Sequence, residues 1–499
     1  MRHLLLAILL SLWLAVPAQA REWLRAETPH FTIYSDGYPM ELERWAKKLE
    51  WFDQILRREI GAKSARPVGE PLTVYLLEDA KAVQQVTGQR YLAGIYYQSS
   101  EGPFLIANRK PGYRKEELSG QATLFHEYAH HFMYRNSTAA YPAWYREGFA
   151  EYVSTVAFDI DRHYTFGAPT YHRLKQLKKR DVAVNTLLNS EVDDIEAKHR
   201  ANFYAWSWLL THLLKSDPAR PRQLDAYLAA FARGASPEQA AQVFGDLDAL
   251  EQQLRTYAET DLLYRRSREP LGETPEVKAE ALGPVGSQLL ELHLARQVGQ
   301  SPDEALGALR QLAAAHPGNA DVLAELAALE LRMALATRDL TLLDEADAAI
   351  DRALATDPAH PVASVLKAQS AMQRSRITGG KAAIDWRAIR QRLVNALRAD
   401  PDNALAMAEL FRTHLSERSR PSPFAYAAIE RAFALQPETG RIRTLYAISL
   451  GLRGRFDEAK ALAQVLVSDP HRTVQGTRAL ATLRRMEAAS RVPDEGEIE

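Results

Sequence analysis

Apolar and polar positions divide the chain into three stretches of different period. Between residues 21 and about 110 the pattern changes element by element. His30 to Ser35 (HFTIYS) alternates, as a half-buried strand does. Met40 to Glu59 places Trp45, Leu49, Phe52 and Ile55 on one stripe and predicts an amphipathic helix. Leu72 to Leu77 (LTVYLL) is a β-rich run. Gly94 to Gln98 and Pro103 to Asn108 predict two more strands around the turn Ser99-Ser100-Glu101-Gly102. From about 115 to 265 helical periods take over, interrupted at Pro142, Pro169 and Pro218, and no strand is expected. Strands grouped ahead of helices describe an α+β domain over 21–267, with a small mixed sheet first and helices after it.

The third stretch, 276–488, is rich in Ala and Leu and repeats itself. Prolines follow polar helix ends at 317, 358, 401, 437 and 470, spaced by 41, 43, 36 and 33 residues. Ala346, Ile350, Ala353 and Leu354 precede Pro358 at the same offsets as Ala425, Ile429, Ala432 and Phe433 precede Pro437. Small residues a turn or two apart let paired helices approach closely, and larger ones fill the groove. The pattern resembles the tetratricopeptide repeat, with Gly454-Arg-Phe-Asp-Glu-Ala459 at that family's turn between paired helices. The resemblance implies about four to five irregular repeats, stacked as helix pairs with a concave face. Arg268 to Pro275 (REPLGETP) reads as a linker, and 489–499 as a polar, acidic, flexible tail. On that reading a chain ending near Arg268 is expected to fold alone.

Composition narrows the setting. Lys+Arg 62 against Asp+Glu 63 leaves a net charge of −1, without the concentrated positive field that nucleic acid requires. Residues 1–20 open with Arg2 and His3, continue apolar from Leu4 to Val16 and end at Ala18-Gln19-Ala20. That is the layout of a secretory signal peptide cleaved after Ala20, and its apolar run is short for a membrane span. A bacterial periplasmic or secreted protein is expected, with no stable membrane span after cleavage. The chain has no cysteine, so its stability rests on a core and not on disulfides.

The candidate chemistry is concentrated between 126 and 151. In Leu124-Phe-His-Glu-Tyr-Ala-His130, His126 and His130 stand at i and i+4, one turn apart on one helix face. Two imidazoles so placed can chelate one metal ion. Glu127 lies beside them, able to reach a metal-activated water without being a ligand. A catalytic zinc needs a third protein ligand and an open position. The next helix, after Pro142, carries Glu147 and Glu151, again at i and i+4. One of these carboxylates can bind the metal while the other orients a histidine from behind. Gly148 between them is expected to allow close packing against the histidine helix.

His-Glu-Tyr-Ala-His followed by Trp-Tyr-Arg-Glu-Gly-Phe-Ala-Glu-Tyr resembles the gluzincin metallopeptidases, the group of thermolysin and aminopeptidase N. Closer still is the resemblance to the peptidase MA-like family of bacterial proteins, over about residues 22 to 265. It implies a zincin-like domain holding one Zn2+ per chain through His126, His130 and Glu147, with Glu151 behind the ligands and Glu127 as general base. It also implies a downstream oxyanion donor, for which Tyr204 is the candidate; the alternative is a core aromatic beside Phe203, Trp206 and Trp208. No Gly-x-Met-Glu-Asn exopeptidase element is present, which points to an endopeptidase. The expected substrate is a peptide or protein lying along Phe104 to Asn108, with the repeats docking substrate or a protein partner. Two other readings stay open: a catalytically silent scaffold that uses the repeats, and a zinc amidohydrolase acting on cell-wall peptides.

Overall fold

The computed structural model describes residues 22–60, 69–99, 101–111, 119–137, 140–468 and 473–489. The expected signal peptide and the tail beyond 489 lie outside these residues.

The N-terminal part runs β1 (Leu24–Glu27), β2 (Phe31–Ser35), α1 (Pro39–Glu59), β3 (Leu72–Leu77), α2 (Ala80–Thr87), β4 (Gly94–Ser99) and β5 (Gly102–Asn108). Then follow α3 (Gly120–Asn136), α4 (Ala143–Ser154), β6 (Ala157–Phe158), β7 (Tyr164–Phe166), α5 (Tyr171–Leu177), α6 (Val184–Asn189) and α7 (Arg200–Ser216). The domain continues with α8 (Pro221–Ala232), α9 (Pro237–Ala241), α10 (Leu247–Ala258), β8 (Arg265–Arg266) and β9 (Ala279–Ala281).

Six strands form a mixed sheet in the order β4-β5-β3-β2-β1-β9. β2, β3 and β5 are mutually parallel, while β4, β1 and β9 pair antiparallel to their neighbours. β3 is central and buried on both faces, which is why LTVYLL is apolar almost throughout instead of alternating. One sheet face packs on α1 and α3 through Ile33, Leu49, Phe52, Val74 and Phe125. In that core Phe52 and Phe125 stack at 4.0 Å between ring centroids. The buried carboxylate of Asp53 on α1 accepts from Tyr128 Oη on α3 at 2.8 Å and pairs with Arg57, so the two helices are also joined by polar contacts. α4, buried along its whole length, lies between α3 and α7.

Three differences from the sequence reading concern short elements. β6, β7 and β8 form a small second sheet within the stretch expected to hold no strands. Each is two or three residues long, too short to show a period. β5 is not a sheet edge: it lies between β4 and β3, so the exposed edge on that side is β4. Residues 268–275 are packed, not free. Trp51 Nε1 donates to Gly272 O at 3.2 Å, Gln54 accepts from Gly272 N at 3.0 Å, and Leu271 is buried.

The C-terminal part is a run of antiparallel helix pairs. They are α11 (Gly283–Val298) with α12 (Pro302–Ala315), α13 (Ala320–Thr337) with α14 (Leu340–Thr356), and α15 (Pro361–Ile377) with α16 (Trp386–Ala399). α17 (Ala404–Ser416) with α18 (Pro423–Leu435) and α19 (Gly440–Gly451) with α20 (Phe456–Val467) follow, and α21 (Thr473–Ala489) closes the run. Pro317, Pro358, Pro401 and Pro437 each sit in the short turn from one pair to the next, where a residue without N–H ends a helix at little cost. Ala346, Ile350 and Ala353 of α14 are buried against α13, as their spacing predicts.

The two parts are not independent. Leu290 and Leu294 of α11 join Trp23, Tyr75, Phe104 and Ile106 in covering the second face of the sheet. Trp23 N donates to Ser287 Oγ at 2.9 Å and Trp23 Nε1 to Glu291 Oε1 at 3.1 Å. The far end of the run returns to α3. Arg135 pairs with Glu438 at 2.9 Å, and the buried Arg443 donates to Tyr134 O at 3.1 Å and Ser137 O at 3.3 Å. The expected separate folding of the two parts therefore does not match this packing. Among the described residues no helix is long and apolar enough to cross a membrane.

Candidate metal centre

α3 starts at Ser119, whose side chain accepts from Ala122 N at 3.1 Å, and it carries His126, Glu127 and His130. α4 carries Glu147 and Glu151 and faces α3. His126 Nε2 and His130 Nε2 lie 3.1 Å apart, and Glu147 Oε2 is 3.5 Å from each. A tetrahedral ion with bonds of about 2.0–2.1 Å to nitrogen and oxygen separates its donors by about 3.3–3.4 Å. The triangle of donors thus has the size of one face of that tetrahedron. These three residues could hold a metal ion.

The charges suit a cation. Burial works to raise the Glu147 carboxyl, but the charge of His130 and hydrogen bonds from both imidazoles outweigh it and hold the group well below the usual range. Burial likewise opposes ionisation of Glu151, and the Arg173 guanidinium with His126 lowers it to about 2. Burial disfavours a charged His126, yet its bonds to Glu147 and Glu151 raise it to about 10. In the absence of an ion the carboxylates hold a proton on this imidazole; an ion would displace it.

Behind the ligands, Glu151 Oε1 lies 3.2 Å from His126 Nδ1. Arg173 on α5 grips Glu151 with both arms of its guanidinium, Nε to Oε2 at 2.7 Å and Nη2 to Oε1. Sequence reasoning assigned Glu151 but missed Arg173, for which no local spacing gives a signal. His130 Nδ1 has no such partner: it is buried and unbonded.

Glu127 Oε2 accepts from the backbone N–H of Tyr96 on β4 at 2.9 Å. The carboxylate is therefore fixed between the donor triangle and the edge strand. Tyr204 on α7 is half-buried, and Arg173 lies 5.7 Å from its ring centre. Burial, and after it the negative charges of Glu147 and Glu127, raise its phenol, so Tyr204 stays a neutral donor. Its coupling to both carboxylates places it on the cluster's side of α7. The other histidines point elsewhere. His131 meets Tyr96 Oη at 3.1 Å, and His212 is occupied by Tyr257 Oη and Gly167 O.

Gly148 corrects one expectation. A Cβ there would lie 2.3 Å from Ser207 O and 2.4 Å from Thr211 Oγ1, both on α7. The close approach is to α7, the helix that brings Tyr204, and not to the histidine helix.

No family model matches the sequence, and no curated protein matches it. Among solved structures, a thermophilic TPR protein of Thermus thermophilus superimposes with a TM-score of 0.32 at 22% identity, over 40% of this chain and 100% of its own.

Proposed function

We propose that the protein is a zinc-dependent peptidase, an endopeptidase acting on extended polypeptide, with His126, His130 and Glu147 as the zinc ligands. The observation that carries the reading is the donor triangle of 3.1–3.5 Å with a carboxylate, Glu127, fixed beside it. Zinc bound there would supply a Lewis acid that activates water and polarises a carbonyl. The chain's own groups supply the rest. Glu127 is placed to accept the proton of the attacking water and to return it to the leaving amine. Tyr204, kept protonated, is a donor for the developing oxyanion. Arg173 and Glu151 hold the His126 ring so that Nε2 faces the centre.

Substrate pairing shifts from the expected Phe104–Asn108 to β4. That strand is the free edge, and an edge offers backbone groups to any extended peptide. Pairing on β4 brings the peptide past Tyr96, whose N–H already holds Glu127. Export to a bacterial periplasm, and a protein partner on the helix pairs, complete the proposal.

The test is elemental analysis and peptide hydrolysis on the purified full-length protein. Stoichiometric zinc together with chelator-sensitive cleavage is the expected result. A protein dialysed against zinc that retains none would overturn the ligand set.

A further inference from the structure

A cavity of about 1460 Å³ lies between the metal-bearing domain and the helix pairs. Pockets that enclose small ligands span roughly 300–1,000 Å³, so this space is sized for something longer. On one side it begins at Gln98 and Ser99, the end of the edge strand β4, and continues to Glu191, Asp193 and Asp194. Arg146, buried, ties that side to the metal centre: its guanidinium lies 3.7 Å from Glu191 and 3.7 Å from the ligand Glu147.

The opposite wall has a regular chemistry. The first helix of every pair, and the closing helix, each contribute one arginine: Arg296, Arg332, Arg376, Arg412, Arg441 and Arg478. Few carboxylates offset them. Arg296 is taken by Glu101 and Glu325, and Arg412 and Arg441 share the single buried Glu409. Arg332 and Arg376 are exposed to the cavity. The wall keeps a net positive charge along its length, while the facing side carries Glu191, Asp193 and Asp194.

We propose that this chamber receives an extended, acidic segment of the polypeptide whose scissile bond lies at the metal centre, its carboxylates meeting the arginine row. The proposal rests on the peptidase reading and names its substrate class. Three observations converge on it. The row repeats once per helix pair, which suits an extended chain and not a compact ligand. The space is continuous with β4, which pairs with backbone. The acidic facing side repels a continuous polyanion, which disfavours nucleic acid, but tolerates a polypeptide whose charges are spaced.

The experiment measures binding by fluorescence anisotropy on the full-length protein, with labelled peptides of one central sequence and acidic, neutral (Gln for Glu) or basic flanks. A single-stranded DNA oligonucleotide of matching charge is the comparison. The acidic peptide should bind about tenfold tighter than the neutral one, with the difference shrinking as salt rises. The double variant Arg332→Gln/Arg376→Gln, at two exposed positions, should bring that ratio to within about twofold, with an unchanged melting temperature showing an intact fold. Equal binding of all flanks, preference for the basic one, or an acidic preference untouched by the variant would overturn the proposal. Tighter binding of the oligonucleotide would overturn it too. Binding is read without turnover, so a catalytically silent metal centre leaves the result intact. Conversely, cleavage of short peptides with no flank preference would remove the chamber's role and leave the peptidase reading standing.

Discussion

Glu127 and Arg173 define what single side chains do at this centre. Glu127 adjoins a ligand but lies outside the donor triangle, held by Tyr96 N. Glu127→Gln should therefore keep the metal and cost about 10²–10⁴-fold in hydrolysis, since proton transfer alone is removed. Metal content and kcat measured on one preparation check both halves; loss of metal would mean that the carboxylate is a ligand. Arg173 acts through Glu151 on His126. Arg173→Ala and Glu151→Ala should each weaken zinc by roughly 10–100-fold, read by competition with a chelating dye. Arg173→Lys should recover only part, because an ammonium cannot grip both oxygens. His126, His130, Glu147 and Glu151 were legible in the sequence because i, i+4 spacing on a helix is a local property. Arg173 stands 22 residues from Glu151, and only the packing of α5 against the centre unites them. The anchoring of Glu127 by a backbone N–H was hidden for another reason: it has no side-chain identity to read.

Elements set the distances between these residues. Gly148 lets α4 sit against α7 with no room for a Cβ beside Ser207 O. Gly148→Ala should cost about 1–3 kcal/mol by overpacking, despite the better helix propensity of Ala. It should also loosen the metal, because α4 carries Glu147; a melting temperature at or above that of the parent would refute this. A second case lies among the helix pairs. Glu330 on α13 is buried, with Oε2 unbonded, and burial raises it to about 7 although Arg310 works in the opposite direction. An acid raised in the folded state binds its proton more tightly there than unfolded. Its contribution to stability is thus fully present below the ordinary value of 4.5 and is lost as pH rises through about 7. Glu330→Gln should flatten the fall in melting temperature over that window, and parallel curves for the two proteins would contradict the assignment. The long elements, α1, α3 and the repeat helices, were legible because each runs for several turns of one period. β9 (Ala279–Ala281) was not, since Ala-Glu-Ala has no strand character of its own. It is a strand because the edge of β1 offers it partners.

At the scale of the whole molecule the helix pairs touch the metal-bearing domain at both ends of their run. The first end supplies β9 to the sheet edge and α11 to its second face; the last end places Arg443 on the backbone carbonyls of Tyr134 and Ser137 where α3 finishes. The Pro- and Gly-bearing stretch 268–275 suggested two separable units, because composition reports turn chemistry and not what a turn packs on. The consequence is specific. A chain ending near Arg268 loses Leu290 and Leu294, and with them the cover over Trp23, Tyr75, Phe104 and Ile106. Burying a leucine is worth about 1.5–3 kcal/mol. The two removed residues alone amount to roughly 3–6 kcal/mol, against a total stability of about 5–15 kcal/mol for a folded domain. The newly exposed aromatic sheet face adds an aggregation liability. Such a chain should be insoluble, or melt well below the full-length protein, and should fail to hold zinc. One ending after Val298 keeps β9 and α11 and should be the shorter chain that stays soluble. Thermal melts and metal analysis of the two truncations decide the matter: if the Arg268 chain folds as stably as the longer one, then α11 lies on the sheet without supporting it. The opposite outcome makes the first helix pair part of the catalytic fold, and so fixes the wall on which the arginine row begins.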